Sequence, residues 1–353
     1  MNTMEQSQLL ERLLHRVEGI ESDVWRLRMD FWEWNSGVCL FGIIKAYEAT
    51  GEKKYLSFLS EWYDRNVEQR KTGSVNTVIP ANVALLLLKE TGDAKYAAIC
   101  EEYADWCLNV SLKTTNGGLA HVWSEGGLED YKNQLWIDSL FMAGLFMLRY
   151  GAWSRNEKLL AAGKEQFDIH IRSQFDPEAG LFYHGYHCLE QKPLGEFWGR
   201  GNGWAAASLI ELIENQGVDS AEGRYVEVFQ RLMEKGYQLR LKDGMLRTLP
   251  ELEEAYPEAT ATALFGYAAL KGVRLGILEN KFEAWGRQTT ETLAQHVSEE
   301  GIPQSASGGT DCQEKEGYLQ VPYTETLYAY GVLFMLYGEA IKLTEESQET
   351  ADV

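Results

Sequence analysis

Basic side chains are in deficit: 33 Lys and Arg stand against 53 Asp and Glu, a formal net charge of -20. Nucleic acid and an anionic membrane both require a basic footprint, so neither is expected as a partner. Cysteine is sparse as well. Cys39, Cys100, Cys107, Cys188 and Cys312 are odd in number, widely spaced and free of any Cys-x-x-Cys pair. That indicates neither a disulfide framework nor a zinc site and fits a reducing compartment. No run approaches the ~18 uninterrupted apolar residues of a membrane span. The first twenty residues are polar, with apolar residues at helical spacing, and lack the apolar core of a signal peptide; a cytoplasmic protein is expected. The 7 prolines are scattered and no linker or charge block divides the chain. A prior of roughly 150 residues per domain suggests two, but the missing seam favours a single domain over 1–353 with flexible termini. Walker, dinucleotide and nucleophile-elbow motifs are absent, strand-like alternation is nearly so, and nothing marks an obligate protein partner.

What is present is helical periodicity. Apolar positions recur at helical intervals from Ser7 to Trp25, and further helices are predicted near 38–50, 83–89, 96–110, 133–150, 156–172, 203–215, 222–241, 259–275, 281–297 and 324–342. Ala49-Thr50-Gly51-Glu52-Lys53-Lys54-Tyr55 returns as Glu90-Thr91-Gly92-Asp93-Ala94-Lys95-Tyr96. A Gly closing one helix and an acid opening the next is a helical-hairpin signature, and its repetition means an array of helix pairs. About twelve helices, alternately apolar all round and amphipathic, predict an all-α (α/α)6 barrel whose end loops carry function.

Three phrases carry chemistry. The stretch opening at Tyr131 leads into a run with no wet helical face, interrupted by one acid, Asp138. Burial against Phe141, Met142 and Leu145 is expected to raise its pKa and a helix start to lower it, which suits proton transfer; a buried Asp satisfied by backbone or Tyr hydroxyls is the plain alternative. In Trp198-Gly199-Arg200-Gly201-Asn202-Gly203-Trp204, placed just before a helix, glycines admit a ligand to the backbone. Arg200 offers a fork for a carboxylate, and Trp198 and Trp204 can flank a sugar. A tight turn with Trp anchors in the core is the alternative. His184 and His187 are spaced like metal ligands but lack a neighbouring carboxylate, so no metal is expected. His121 suits either a ligand role or a satisfied histidine. Trp34, Trp123 and Trp136 favour a carbohydrate cleft over a phosphate site.

Tyr131-x-Asn133-Gln134-x-Trp136-x-Asp138, Phe182-Tyr183-His184-Gly185, the Trp198–Trp204 phrase and Tyr256-Pro257-Glu258-Ala259-Thr260-Ala261-Thr262-Ala263 together resemble glycoside hydrolase family 105, the unsaturated rhamnogalacturonyl hydrolases. The likeness runs from about Trp32 to Gly338. The resemblance implies an (α/α)6 barrel that hydrates the C4=C5 double bond of an unsaturated uronic acid at the end of a small anionic saccharide. In it the residue matching Asp138 protonates C4 and activates the water that adds at C5, without metal or cofactor. It also places His121, His184, Trp198, Arg200 and Trp204 in the substrate pocket, with Trp34 stacking on a sugar. Asn76 stands where the family has a carboxylate that binds the sugar, and the loop before Tyr131, with Glu125, Glu129 and Asp130, is longer than usual. An inverting glycosidase pairing Asp138 with Glu33, Glu196 or Glu258, or a sugar-binding protein without catalysis, are the alternative readings.

Overall fold

The computed structural model describes residues 1–121 and 131–351. Trp123, Glu125, Glu129 and Asp130 lie outside the described residues. Twelve principal helices follow in order among those described: α1 Thr3–Glu18, α2 Trp34–Thr50, α3 Lys53–Asn66, α4 Ala81–Thr91, α5 Ala94–Asp105, α6 Leu145–Ser154, α7 Glu157–Gln174, α8 Gly199–Gln216, α9 Gly223–Leu239, α10 Ala259–Arg274, α11 Asn280–Ala294 and α12 Leu327–Ala351. The even-numbered helices touch one another in a closed ring, α12 returning to α2, and each odd-numbered helix packs outside an even one. This is an (α/α)6 barrel.

The local signals explain the alternation. Gly51 and Gly92 close α2 and α4 in the left-handed region, φ 66° and 69°, where a Cβ is costly. Asp93 then caps α5 by accepting from the Lys95 amide at 2.9 Å. The inner helix α10 is buried from Ala259 to Gly272, whereas outer α9 buries one stripe through Tyr225, Phe229, Leu232 and Met233. Gly42 and Gly331 let α2 and α12 meet backbone to backbone; a Cβ on either would overlap the opposite main chain.

Several elements depart from the periodicity. The first helix stops at Glu18, and Trp25 belongs to a separate 3-10 turn, Trp25–Leu27. The amino terminus, expected to be loose, is tied down: Asn2 forms a capping box with Glu5, and the Met1 ammonium meets Glu291 at 3.0 Å. The helix expected from Asn133 is instead strand β1, Gln134–Trp136, followed by a π turn, Leu140–Gly144, that runs into α6. The loop 175–198 holds strands β2 Phe175–Asp176, β3 Leu181–Phe182, β4 Gly185–His187 and β5 Lys192–Leu194. Strands β1, β4 and β5 form one antiparallel sheet in that spatial order. Each strand is too short for its alternation to register in the sequence. Helix α8 begins at Gly199, so the glycine phrase is its first turn and not a loop before it.

At the carboxyl ends of the inner helices, Lys45, Arg149, Lys271 and Arg274 interleave with Glu48, Glu211, Glu214 and Glu339. Lys45 meets Glu48 at 2.8 Å and Glu211 at 3.2 Å, Lys271 meets Glu214 at 2.6 Å, and Arg274 meets Glu214 at 2.9 Å. Each buried charge has an opposite neighbour, which offsets its desolvation.

Candidate active site

At the opposite end, where the inner helices begin, a cavity of about 310 Å³ opens. Asp138, Trp34, Asn76, His121, Trp198, Arg200 and Trp204 all line it. His184 lies behind the wall and reaches the site through Asp138.

The small sheet sets this geometry. Trp136 pairs with Gly185 across β1 and β4, and the Ile137 amide donates to the His184 carbonyl at 3.0 Å. That register carries Asp138 to the start of the π-helical segment and His184 alongside it. His184 Nε2 stands 3.5 Å from Asp138 Oδ2, and its Nδ1 lies 2.7 Å from the Tyr318 hydroxyl. Burial pushes the Asp138 carboxyl up, but His184 beside it, with His121, holds it below its ordinary value. The rise expected from burial is therefore outweighed in the free protein by the neighbouring imidazoles. Its side chain also keeps 17% exposure toward the cavity. His121 lies flat on Trp136, ring centroids 4.2 Å apart and planes 6° from parallel. Burial pushes it down to about 4, against the opposing pull of Asp138.

The wall continues as a ladder of rings. His184 packs on Trp198 at 4.3 Å; the Arg200 guanidinium sits 4.4 Å from the Trp198 ring and 4.8 Å from Tyr328; Tyr328 stacks on Trp34 at 5.0 Å, and Trp34 meets Trp25 at 5.8 Å. Trp34 opens α2, its amide held by the Glu33 carboxylate at 3.2 Å. Asn76 sits on the 3-10 turn Val75–Thr77, which Trp32 fixes by donating to the Thr77 carbonyl at 3.0 Å. Trp204 packs on Phe141 at 4.5 Å. Arg200 is 1% exposed. One terminal nitrogen donates to Ser307 Oγ at 2.7 Å and Thr260 Oγ1 at 3.3 Å, the other to the Gly308 carbonyl at 2.7 Å and Thr310 Oγ1 at 3.0 Å. Its fork thus shapes the segment 307–310 rather than standing free for a ligand. Asn202 turns away from the cavity and staples Phe182, accepting from its amide at 2.7 Å and donating to its carbonyl at 2.9 Å.

The three glutamates named as possible second carboxylates are engaged elsewhere. Glu258 is buried, accepts from the Ala261 amide at 2.7 Å and the Ser307 amide at 2.9 Å, and faces Arg200. Glu33 caps α2, and Glu196 is not among the cavity residues. His187 accepts from the Glu190 amide and does not converge with His184. Sequence reasoning missed Trp25, Gly309, Thr310 and Asp311 in the lining. The run Ser305-Ala306-Ser307-Gly308-Gly309-Thr310-Asp311 was the available signal, a small polar stretch between two helices.

Residues 12–344 match the family Glycosyl Hydrolase Family 88. The chain is 31% identical over 303 residues to the unsaturated rhamnogalacturonyl hydrolase YesR of Bacillus subtilis (strain 168), covering 84% of this chain and 86% of that one. It superposes with TM-score 0.90 and 25% identity on a possible member of family GH105 from Salmonella enterica serovar Paratyphi A, over 97% of this chain and 95% of the other. A possible GH105 member from Klebsiella pneumoniae has the same fold, with TM-score 0.91 and 24% identity over 97% and 94%. With the match running through all the cavity-bearing elements, the chain belongs to Glycosyl Hydrolase Family 88 and is a glycoside hydrolase.

Proposed function

We propose that this glycoside hydrolase releases an unsaturated uronic acid from a small anionic saccharide by hydrating its C4=C5 double bond. The carrying observation is the Asp138 carboxylate, partly open to the cavity and flanked by the imidazoles of His184 and His121. Glycosyl transfer through a pair of acids needs a second carboxylate across the substrate; Glu258 is committed to Arg200 and the α10 start, so among the described lining residues only Asp311 could supply it. The name of the Bacillus subtilis relative supports the substrate class.

In the free protein His184 and His121 hold the Asp138 carboxyl below its ordinary value against the upward push of burial. An incoming carboxylate lodged nearby raises its pKa by like-charge repulsion, so substrate binding loads the proton that the reaction needs. Asp138 gives that proton to C4 and positive charge develops at C5. The carboxylate so formed takes a proton from water as the water oxygen bonds to C5, and the resulting hemiketal opens to free the neighbouring sugar. The inner-helix starts supply the positive end of six dipoles, which favours an anion in a protein of net charge -20. Trp34, Trp198 and Trp204 would bound the sugar faces, and Asn76 and His121, with Thr310 held in place by Arg200, would meet its polar groups. The chemistry calls for no metal or cofactor, and one barrel domain over 1–353 suffices. Five free thiols accord with a cytoplasmic location, and no helix of the described residues is long and apolar enough to cross a membrane.

Incubation with lyase-digested pectin tests this: the ultraviolet absorbance of the conjugated enol acid should disappear with turnover. Hydrolysis of saturated glycosides instead would identify an inverting glycosidase, and binding without turnover a sugar-binding protein.

A further inference from the structure

We propose that Tyr318 is a positioning residue that selects the tautomer of His184 and so decides what His184 presents to Asp138. Tyr318 lies on the short helix Lys315–Gln320 and is buried. Its hydroxyl is 2.7 Å from His184 Nδ1. It also accepts from the Glu196 amide at 3.5 Å. With a lone pair receiving the Glu196 N–H, the hydroxyl has its own proton to give, and His184 Nδ1 takes it. A neutral imidazole that accepts at Nδ1 carries its hydrogen on Nε2. That nitrogen stands 3.5 Å from Asp138 Oδ2, so the hydrogen falls on the carboxylate side of the ring. The opposite tautomer would set the Nε2 lone pair against a carboxylate and leave the Tyr318 proton without an acceptor.

The surroundings hold the relay in place. His184 is pinned on its main chain, its amide donating to the Glu196 carbonyl at 3.0 Å and its carbonyl accepting from Gln174 Nε2 at 3.0 Å. Gly195, φ 67°, leaves the room that the Tyr318 hydroxyl occupies; a Cβ there would overlap it. The titratable groups facing the relay are Cys312, His121 and, through the Trp136 carbonyl, His170. Burial pushes the Tyr318 phenol and the Cys312 thiol up, so both stay protonated, while burial keeps His121 and His170 neutral until near pH 4. Tyr256 touches Tyr318 only by donating to its carbonyl at 3.2 Å.

Nitrogen-15 chemical shifts of the imidazole rings read the tautomer directly, with His184→Gln assigning the signal. At a pH where the His184 ring is neutral, the parent should show its hydrogen on Nε2, and Tyr318→Phe should move the signal toward the other tautomer. A parent with hydrogen on Nδ1, or a folded Tyr318→Phe protein with an unmoved signal, overturns the proposal. The parent spectrum decides even if the variant does not fold. The kinetic arm rests on Asp138 being the proton donor; the spectroscopic arm does not. In Tyr318→Phe, Asp138 loses a donor, its pKa rises, and the pH profile of kcat/KM shifts upward while kcat falls about tenfold or more, as expected of a mis-set tautomer. In a His184→Gln background the same substitution should leave the profile where it is; an equal shift there would show that Tyr318 does not act through His184.

Discussion

Arg200 and Glu258 face each other at 3.6 Å with almost no exposure to water. Between them they hold Thr260, the Ser307 amide and hydroxyl and the Gly308 carbonyl. The pair is thus the frame on which the cavity segment 307–311 is hung. Arg200→Lys keeps the charge but loses the fork, so two donor directions go unfilled. Equilibrium unfolding should show a loss of about 1–3 kcal/mol, and kcat/KM should drop roughly tenfold or more, about 1.4 kcal/mol. An unchanged kcat/KM alongside lost stability would confine Arg200 to structure.

Asp138→Asn preserves shape but donates no acidic proton. Single-turnover kinetics should show kcat lower by about 10² to 10⁴-fold with substrate affinity retained. Near-parental turnover by the folded variant would remove Asp138 from the chemistry.

Asn76 and Asp138 line the same cavity, and a carboxylate at 76 would repel that of Asp138. Asn76→Asp should raise the Asp138 pKa and carry the pH profile of kcat/KM to higher pH. Superimposable profiles would mean that the two positions are uncoupled.

His121 and His170 are both pushed by burial from 6.5 to about 4. The unfolded chain takes up protons first as pH falls, so the folded state keeps its full stability above about pH 6.5 and loses it toward pH 4. At the low end the two imidazoles together cost on the order of 6 kcal/mol. Denaturant titrations across that window should show His170→Gln with a visibly shallower pH slope than the parent. Parallel slopes would mean that His170 does not enter the folded state neutral.

The helix pairs were legible because Gly51, Gly92 and Asp93 act through local backbone geometry and because inner and outer helices differ in how many faces are apolar. Asp138 was legible as the lone acid in an apolar run. Its charge state was not, since that depends on His184, brought alongside by pairing of β1 with β4. The strand Gln134–Trp136 was hidden for the same reason: three residues flanked by helical periodicity take their conformation from a distant partner, which overrides propensity. Gly309–Asp311 show in the sequence only as part of a small polar run; the grip of Arg200 on Gly308 and Thr310 is what makes them a wall.

The stacking of Trp34 on Tyr328 has a kinetic consequence. One ring belongs to the first inner helix and the other to the last, so this part of the cavity joins positions nearly 300 residues apart. On a ribosome, earlier hairpins can pack in succession as they emerge, but the ring stays open until α12 docks against α2. The site is therefore among the last features to form, and folding rate should respond most to substitutions at the Gly42–Gly331 seam where the two helices close.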